Sequence, residues 1–283
     1  MRFLAILFSL LFSHIALCQD ESIWVDSLNT LRSEVVSSKN DRQKAMLNTR
    51  FTNYLENFLI KNLHKADLLD SIPYLANLSS NDNLLRILNW TVSFEDGSYQ
   101  YFGFICLNKS QTIIKLNDQS DSYLNPQFKK MNNENWYGAL YFDIQKIKSK
   151  KSPYYLLLGW DGNSNYTTKK IIETLIINDE SVQFGLPVFN YEDQTSNRVI
   201  FEYSKEVVMS LRYHKKQTQI VFDHLAPIYD GAEGMYEFYG PDLSFDALVL
   251  RKNIWVHEKA IDVRGNTGMD NYIDPRKQKK KKF

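Results

Sequence analysis

Near Leu85 the hydrophobic period of the chain changes. From there it reads Leu85-Arg86-Ile87-Leu88-Asn89-Trp90-Thr91-Val92-Ser93-Phe94-Glu95-Asp96-Gly97-Ser98-Tyr99-Gln100-Tyr101-Phe102-Gly103-Phe104-Ile105-Cys106-Leu107. Leu88, Trp90, Val92 and Phe94 alternate with polar residues, a period of two that places them on one face of a strand. Glu95-Asp96-Gly97-Ser98 is a turn cluster, and the chain then runs back from Tyr99 to Leu107. The reading is a β-hairpin.

Before Leu85 the period is that of a helix. Trp24, Leu28, Leu31 and Val35 share one face at steps of four, three and four. Leu47, Phe51, Tyr54, Leu55, Phe58 and Leu59 repeat the stripe after the polar break Ser37-Ser38-Lys39-Asn40-Asp41. This predicts a helical hairpin whose apolar faces pack on the rest of the protein. A weaker helical piece is expected between Leu68 and Leu78, interrupted by Pro73.

After Leu107 strand patterns recur at Thr112–Leu116, Trp136–Ile147, Tyr154–Trp160 and Leu175–Ile177. They continue at Phe184–Phe189, Arg198–Tyr203, Val207–Tyr213, Gln219–His224, Met235–Tyr239, Ala247–Leu250 and Ile254–Val263. A short helix is predicted from Thr167 or Thr168 through Ile171, Ile172 and Leu175. Residues 117–135 are polar and irregular, which predicts a long surface loop. Short polar links predict mainly antiparallel pairing. Ten or more strands must close into a barrel-like sheet or split into two packed sheets. The expected fold is therefore α+β, mainly antiparallel β, with the N-terminal helical hairpin packed on the β domain.

The first residues, MRFLAILFSLLFSHIALC, have the make-up of a secretory signal peptide. Arg2 is the positive end, Phe3–Leu17 the apolar run, and Ala16 and Cys18 the small residues before a cut at Gln19. The predicted layout is a signal peptide at 1–18, a helical region at 19–84, a β domain at 85–263 and a disordered basic tail at 264–283. The protein is expected outside the cytoplasm, periplasmic or secreted, and a kept, lipidated Cys18 would instead anchor it to a membrane. No other apolar run is long enough for a helical span.

The chain has 34 basic and 33 acidic residues. Setting aside Arg2 and the six basic residues of the tail leaves 27 basic against the 33, a body charge of about −6. That is not a nucleic-acid-binding surface. The chain has two cysteines, so after cleavage at Gln19 only Cys106 remains and no internal disulfide forms. Cys106 lies among Ile105 and Leu107, which predicts a buried, inert thiol.

Chemistry-bearing motifs are few. There is no Gly-x-Ser-x-Gly elbow, phosphate-binding glycine loop or His-Glu-x-x-His pair. Asp161, Asn163 and Asn165 have a calcium-like i, i+2, i+4 spacing, but Tyr166 and Ile172 stand at the sixth and twelfth places of the loop. A strand-ending turn fits better. Asp223 and His224 adjoin at a strand end but point to opposite faces, so His224 needs a partner such as Glu202, Tyr203 or Tyr213. Asp161, Glu202, Asp223, Glu237, Asp242 and Asp246 are nominal carboxylates for hydrolysis. The catalytic residues stay unknown, and no cofactor or metal is expected.

Tyr154-Tyr155-Leu156-Leu157-Leu158-Gly159-Trp160-Asp161-Gly162-Asn163, Arg198-Val199-Ile200-Phe201-Glu202-Tyr203-Ser204, Met209-Ser210-Leu211-Arg212-Tyr213, Ile220-Val221-Phe222-Asp223-His224-Leu225 and Tyr239-Gly240-Pro241-Asp242 resemble a group of uncharacterised exported proteins of Bacteroidetes-type bacteria. The resemblance spans residues 85–263 and implies a bacterial envelope setting. It brings no activity, substrate or catalytic residue. The functional expectation is a non-catalytic binding protein for an envelope glycan, peptide or protein. Its ligand-binding residues are expected at the loop ends: Trp160, Asp161, Asn163, His224, Tyr239 and Asp242. The alternative is an exported hydrolase using carboxylates or Asp223 and His224.

Overall fold

The computed structural model describes residues 22–149 and 152–262. The expected signal peptide at 1–18, with Cys18, and the expected disordered basic tail at 264–283 lie outside them. Helix α1 spans 22–37 and helix α2 Asp41–Asn62. Asn40 caps α2, its side chain accepting from Gln43 N at 2.9 Å. A 3-10 stretch, Leu63–Ser71, follows.

Four strands then form the first sheet in sequence order: β1 (Ala76–Ser79), β2 (Leu85–Ser93), β3 (Tyr99–Leu107) and β4 (Thr112–Asn117). The second sheet contains β5 (Met131–Asn132), β6 (Leu140–Ile147), β7 (Tyr154–Asp161), β8 (Thr167–Asn178) and β9 (Ser181–Phe184), in the order β5-β9-β8-β7-β6. Next come β10 (Phe189–Tyr191), β11 (Gln194–Ser196), β12 (Arg198–Ser204), β13 (Leu211–His214), β14 (Gln219–Pro227), β15 (Tyr239–Arg251) and β16 (Ile254–Glu258). β12 returns to pair with β8; the others form the third sheet, β11-β10-β16-β15-β14-β13. β10 and β16 run parallel, and the other strand pairs are antiparallel.

Period-two alternation sorts the side chains into three cores. Leu88, Trp90, Val92, Phe104 and Cys106 face α1 and α2, where they meet Leu28, Val35, Phe51, Leu55 and Phe58. Trp90 Nε1 donates to Asn48 Oδ1 at 2.8 Å, so the indole is buried without losing its hydrogen bond. The opposite face of the first sheet, with Leu85, Ile87, Tyr101 and Ile105, packs on Tyr155, Leu157, Ile171 and Leu175 of the second. The other face of the second sheet, with Tyr154, Leu156, Leu158 and Ile172, packs on Phe189, Ile220, Phe222, Leu248 and Trp255 of the third. The layers are thus helices and three stacked sheets. No barrel closes, and a two-sheet count is one too few. The middle sheet is covered on both faces, which is why Tyr154–Leu158 reads as a continuous apolar run.

Several expected elements differ. The helix predicted around Ile171, Ile172 and Leu175 is the long strand β8. A spacing of four satisfies both periods, and Ile171 and Leu175 do share a face, but Ile172 lies on the other one. Seven β-branched residues among the twelve favour the strand. The helical piece expected at Leu68–Leu78 stops at Ser71, because Pro73 holds Ile72 extended, and Ala76–Ser79 is β1. The strand expected at Phe184–Phe189 is split, with Gly185 at φ +88° in the break. Tyr236–Phe238, expected within a strand, is a 3-10 turn before β15. The strand expected from Trp136 begins at Leu140.

Burial pushes the Cys106 thiol up to about 12, an effect that nearby Arg86 only partly offsets. In the native protein, Cys106 is expected to react with Ellman's reagent at least about a hundredfold more slowly than in 6 M guanidinium. Stopped-flow absorbance of both samples checks this; equal rates would refute the buried thiol.

Candidate functional site

The six expected ligand residues fall into two groups. Among the described residues, no hydrogen bond, ion pair or ring contact joins a member of one group directly to a member of the other.

The first group lies at the end of β7. Trp160 receives the Tyr99 ring edge-on at 5.5 Å between centroids. Asp161 is buried. Its Oδ1 accepts from Tyr101 OH at 2.7 Å and Asn163 N at 2.8 Å, and its Oδ2 from Tyr137 OH at 3.3 Å. Burial and the Asp161 charge push both tyrosine hydroxyls well above their ordinary value, so they stay donors. Asn163 takes φ +51° and completes an Asx-type turn. This is the strand-ending turn the sequence suggests. Its oxygens are occupied: Asn163 Oδ1 accepts from Lys169 Nζ at 2.7 Å, and an ammonium group at that point opposes a bound cation.

The second group lies where β14 and β15 shift register between Asp223 and Leu225. Asp223 Oδ2 accepts from Ser210 N at 2.7 Å, while His224 turns to the other side. The expected partners Glu202, Tyr203 and Tyr213 do not engage His224. Its Nδ1 meets Asp246 Oδ2 at 2.9 Å, and its Nε2 is 4.0 Å from Asp242 Oδ2. His257 Nε2 reaches the same Asp246 oxygen at 3.0 Å, and Ala260 N donates to Asp246 Oδ1 at 2.9 Å. Burial alone would raise the Asp246 carboxyl, but these three donors outweigh it and hold it below the usual carboxylate range. Tyr239 OH accepts from Gly234 N at 3.0 Å, and its ring lies 5.2 Å from that of Tyr236.

A cleft of about 630 Å³ involves neither group directly, yet both stand behind its wall. Tyr137, which donates to Asp161, lines it. So does Tyr191, whose ring stacks at 4.5 Å on His257. One side is the loop bearing Tyr123, Leu124, Gln127 and Phe128; the other is β12 with Tyr236. Leu124 is 97% exposed, Phe128 46% and Tyr236 45%. Three exposed large apolar side chains thus share one concavity. Lys169 and Glu202 supply charge between them. Glu202 Oε1 accepts from Thr167 Oγ1 at 2.7 Å and Asn163 Nδ2 at 3.2 Å, and Lys169 Nζ is 3.8 Å from Glu202 Oε2.

What holds the loop against β12 is a buried ion pair absent from the sequence expectations. Arg198 and Glu173 are both fully buried, with Arg198 Nε and Nη2 each 2.9 Å from Glu173 Oε2. Tyr141 OH donates to Glu173 Oε1 and accepts from Trp136 Nε1 at 2.9 Å. Arg198 Nη1 donates to the carbonyls of Pro126 and Lys129, the latter at 3.0 Å, and so fastens the loop. The one sequence signal was polarity out of place: Glu173 on a β-branched strand and Arg198 opening another.

Comparison with protein-family models, curated proteins and solved structures finds no match. Among the described residues, no group of three or more His, Cys, Asp or Glu side chains is placed to hold a metal ion.

Glu173→Ala or Arg198→Ala should each lose about 3–5 kcal/mol of stability, since each strands its buried partner. Replacing the pair together by Leu and Met should cost less than either single change, and urea titrations compare the three. A second expectation concerns pH. Asp246 is held low in the folded state, so its contribution is complete above the unfolded carboxyl value near pH 4 and is lost as pH falls through the folded value. Asp246→Asn should therefore cost about 1–3 kcal/mol at pH 6, with the gap to wild type closing below about pH 4. Thermal melts over pH 3–7 read the difference, and a pH-independent gap would refute it.

Proposed function

We propose that this chain is an exported, non-catalytic binding protein of a bacterial envelope that takes its ligand into the cleft between residues 120–128 and β12. The observation that carries the reading is the convergence of exposed Leu124, Phe128 and Tyr236 on one polar-floored cleft. Apolar rim groups supply contact area, while Gln127, Gln194, Lys169 and Glu202 supply orientation. A glycan, a peptide or an envelope protein segment all suit such a lining.

The use of the polar groups favours binding over hydrolysis. Glu202 is engaged by Thr167 and Asn163, and Lys169 by Asn163. Asp223 and His224 would have to act together in the alternative reading, yet one holds Ser210 N and the other Asp246. Export rests on the leader at 1–18 and on the resemblance to exported Bacteroidetes-type proteins.

The test uses the mature chain on glycan and peptide arrays, with a Phe128→Ala/Tyr236→Ala variant as the control. Both side chains are substantially exposed, so the fold should survive. A ligand bound by wild type and at least about tenfold more weakly by the variant, and recovered intact, supports the reading. Equal binding by both proteins, or cleavage of the ligand, overturns it. N-terminal sequencing of the exported protein should begin at Gln19, whereas a lipid-blocked Cys18 would overturn that placement of the cut.

A further inference from the structure

We propose that the ligand of this cleft is an extended polypeptide, which adds as a strand to the open edge of β12. The inference rests on the cleft being the binding site and names what it binds.

β8 has two edges. β7 occupies one, and β9 and β12 share the other, β9 along Leu175–Asn178 and β12 along Thr167–Glu173. Among the described residues β12 pairs with β8 alone. Backbone groups of an antiparallel strand alternate in direction, so one bond fixes them all. Just beyond β12, Lys205 N donates to Tyr166 O at 3.0 Å. Tyr203, Phe201 and Val199 therefore also turn their amides and carbonyls toward β8. Gly185 N donating to Thr174 O at 2.8 Å gives the same parity from the β9 end. Ile200 and Glu202 consequently direct theirs outward, and among the described residues no protein group bonds to them.

The cleft lies along that outward edge. Val199 has its side chain in the core between the second and third sheets, yet it lines the cleft together with Arg198 and Ile200. The lining also takes Tyr123 and Ile200, which pack with the core between the first and second sheets, and Tyr191, which packs with the core between the second and third, so the cleft borders both faces of the strand and therefore its edge. The open length is bounded. At one end the ladder stops at Arg198, and Asn197 N donates to Gln127 O at 2.8 Å, which ties the 126–128 turn to the start of the strand. At the other end stands Tyr236.

Between them the edge offers the amide and carbonyl of Ile200 and of Glu202, repeating about every 6.6–6.8 Å. A polypeptide backbone presents complementary groups at that repeat and a glycan does not, which is why the geometry selects a peptide. A strand added there would set its alternate side chains against Tyr123, Phe128 and Tyr236.

The test screens a library of unstructured heptapeptides against the mature chain and then N-methylates the best binder one residue at a time. Methylation at alternate positions should weaken binding at least tenfold and at intervening positions less than twofold. The amides of Ile200 and Glu202 should gain protection from hydrogen exchange in the complex. Ile200→Pro removes an outward donor that β8 does not use; it should abolish binding, and the methylation scan does not depend on its folding. Binding insensitive to methylation at every position, or an oligosaccharide as the only ligand lost in Phe128→Ala/Tyr236→Ala, overturns strand addition but leaves the cleft as the site. A ligand indifferent to that double variant overturns both.

Discussion

The buried pair between Glu173 and Arg198 is the constraint on which the face bearing the cleft depends. Two full charges in a core bear a large desolvation cost, so they persist only where each is held by more than the other. Here Glu173 also accepts from Tyr141, and Arg198 also donates to two loop carbonyls. The pair spans β8 and β12 directly, at opposed positions of the ladder. Through Tyr141 it reaches β6, and through Pro126 and Lys129 it fastens the segment that faces the cleft. Without it, residues 120–130 would lose two of the bonds that hold them beside β12.

That arrangement is possible because the second sheet has cover on both sides. A strand buried on both faces needs apolar residues at odd and even positions, as Tyr154–Leu158 and Ile171–Ile172 provide. Where such a strand instead carries Glu173, the polar side chain must find its partners inside the protein. The aromatic content answers the same need: Tyr141, Tyr101 and Tyr137 pack as hydrophobes while their hydroxyls satisfy Glu173 or Asp161, and Trp136 donates to Tyr141 OH. A chain with no disulfide among its described residues thus ties its sheets together through buried tyrosines.

Much of the fold was legible in the sequence and little of the site. The hairpin from Leu85 to Leu107 could be read because one face differs in polarity from its turn and because period two is unambiguous over nine residues. α1 and α2 were legible from their stripes. β8 was not, since a four-residue spacing fits both periods, and only its β-branched content argued otherwise. The three-sheet layering was implicit in the continuous apolar run at Tyr154, but such a run does not say what covers it. Local composition pointed to Asp161 and Asn163, which bond to the cleft-lining Tyr137 and Glu202, and to His224, Tyr239 and Asp242, which lie outside the lining. The cleft itself joins residues 120–128, 191–202 and 236, and no local pattern links segments so far apart. Asp246, the partner of His224, lies 22 residues away on a neighbouring strand, beyond the reach of spacing rules.

The open edge of β12 follows from the path of the chain. After Phe184 the chain leaves the second sheet at Gly185, whose positive φ makes the break, and builds β10 and β11 into the third sheet. It returns as β12 to the same edge of β8, beyond the short β9. A strand that arrives last at an edge has nothing further to pair with. Proteins usually blunt such an edge with charge, proline or a covering element. β12 has no proline, and the two 3-10 turns at Pro126–Phe128 and Tyr236–Phe238 lie close beside it. The excursion through β10 and β11 thus both creates the unpaired edge and supplies Tyr191, Glu192 and Gln194 to the wall beside it.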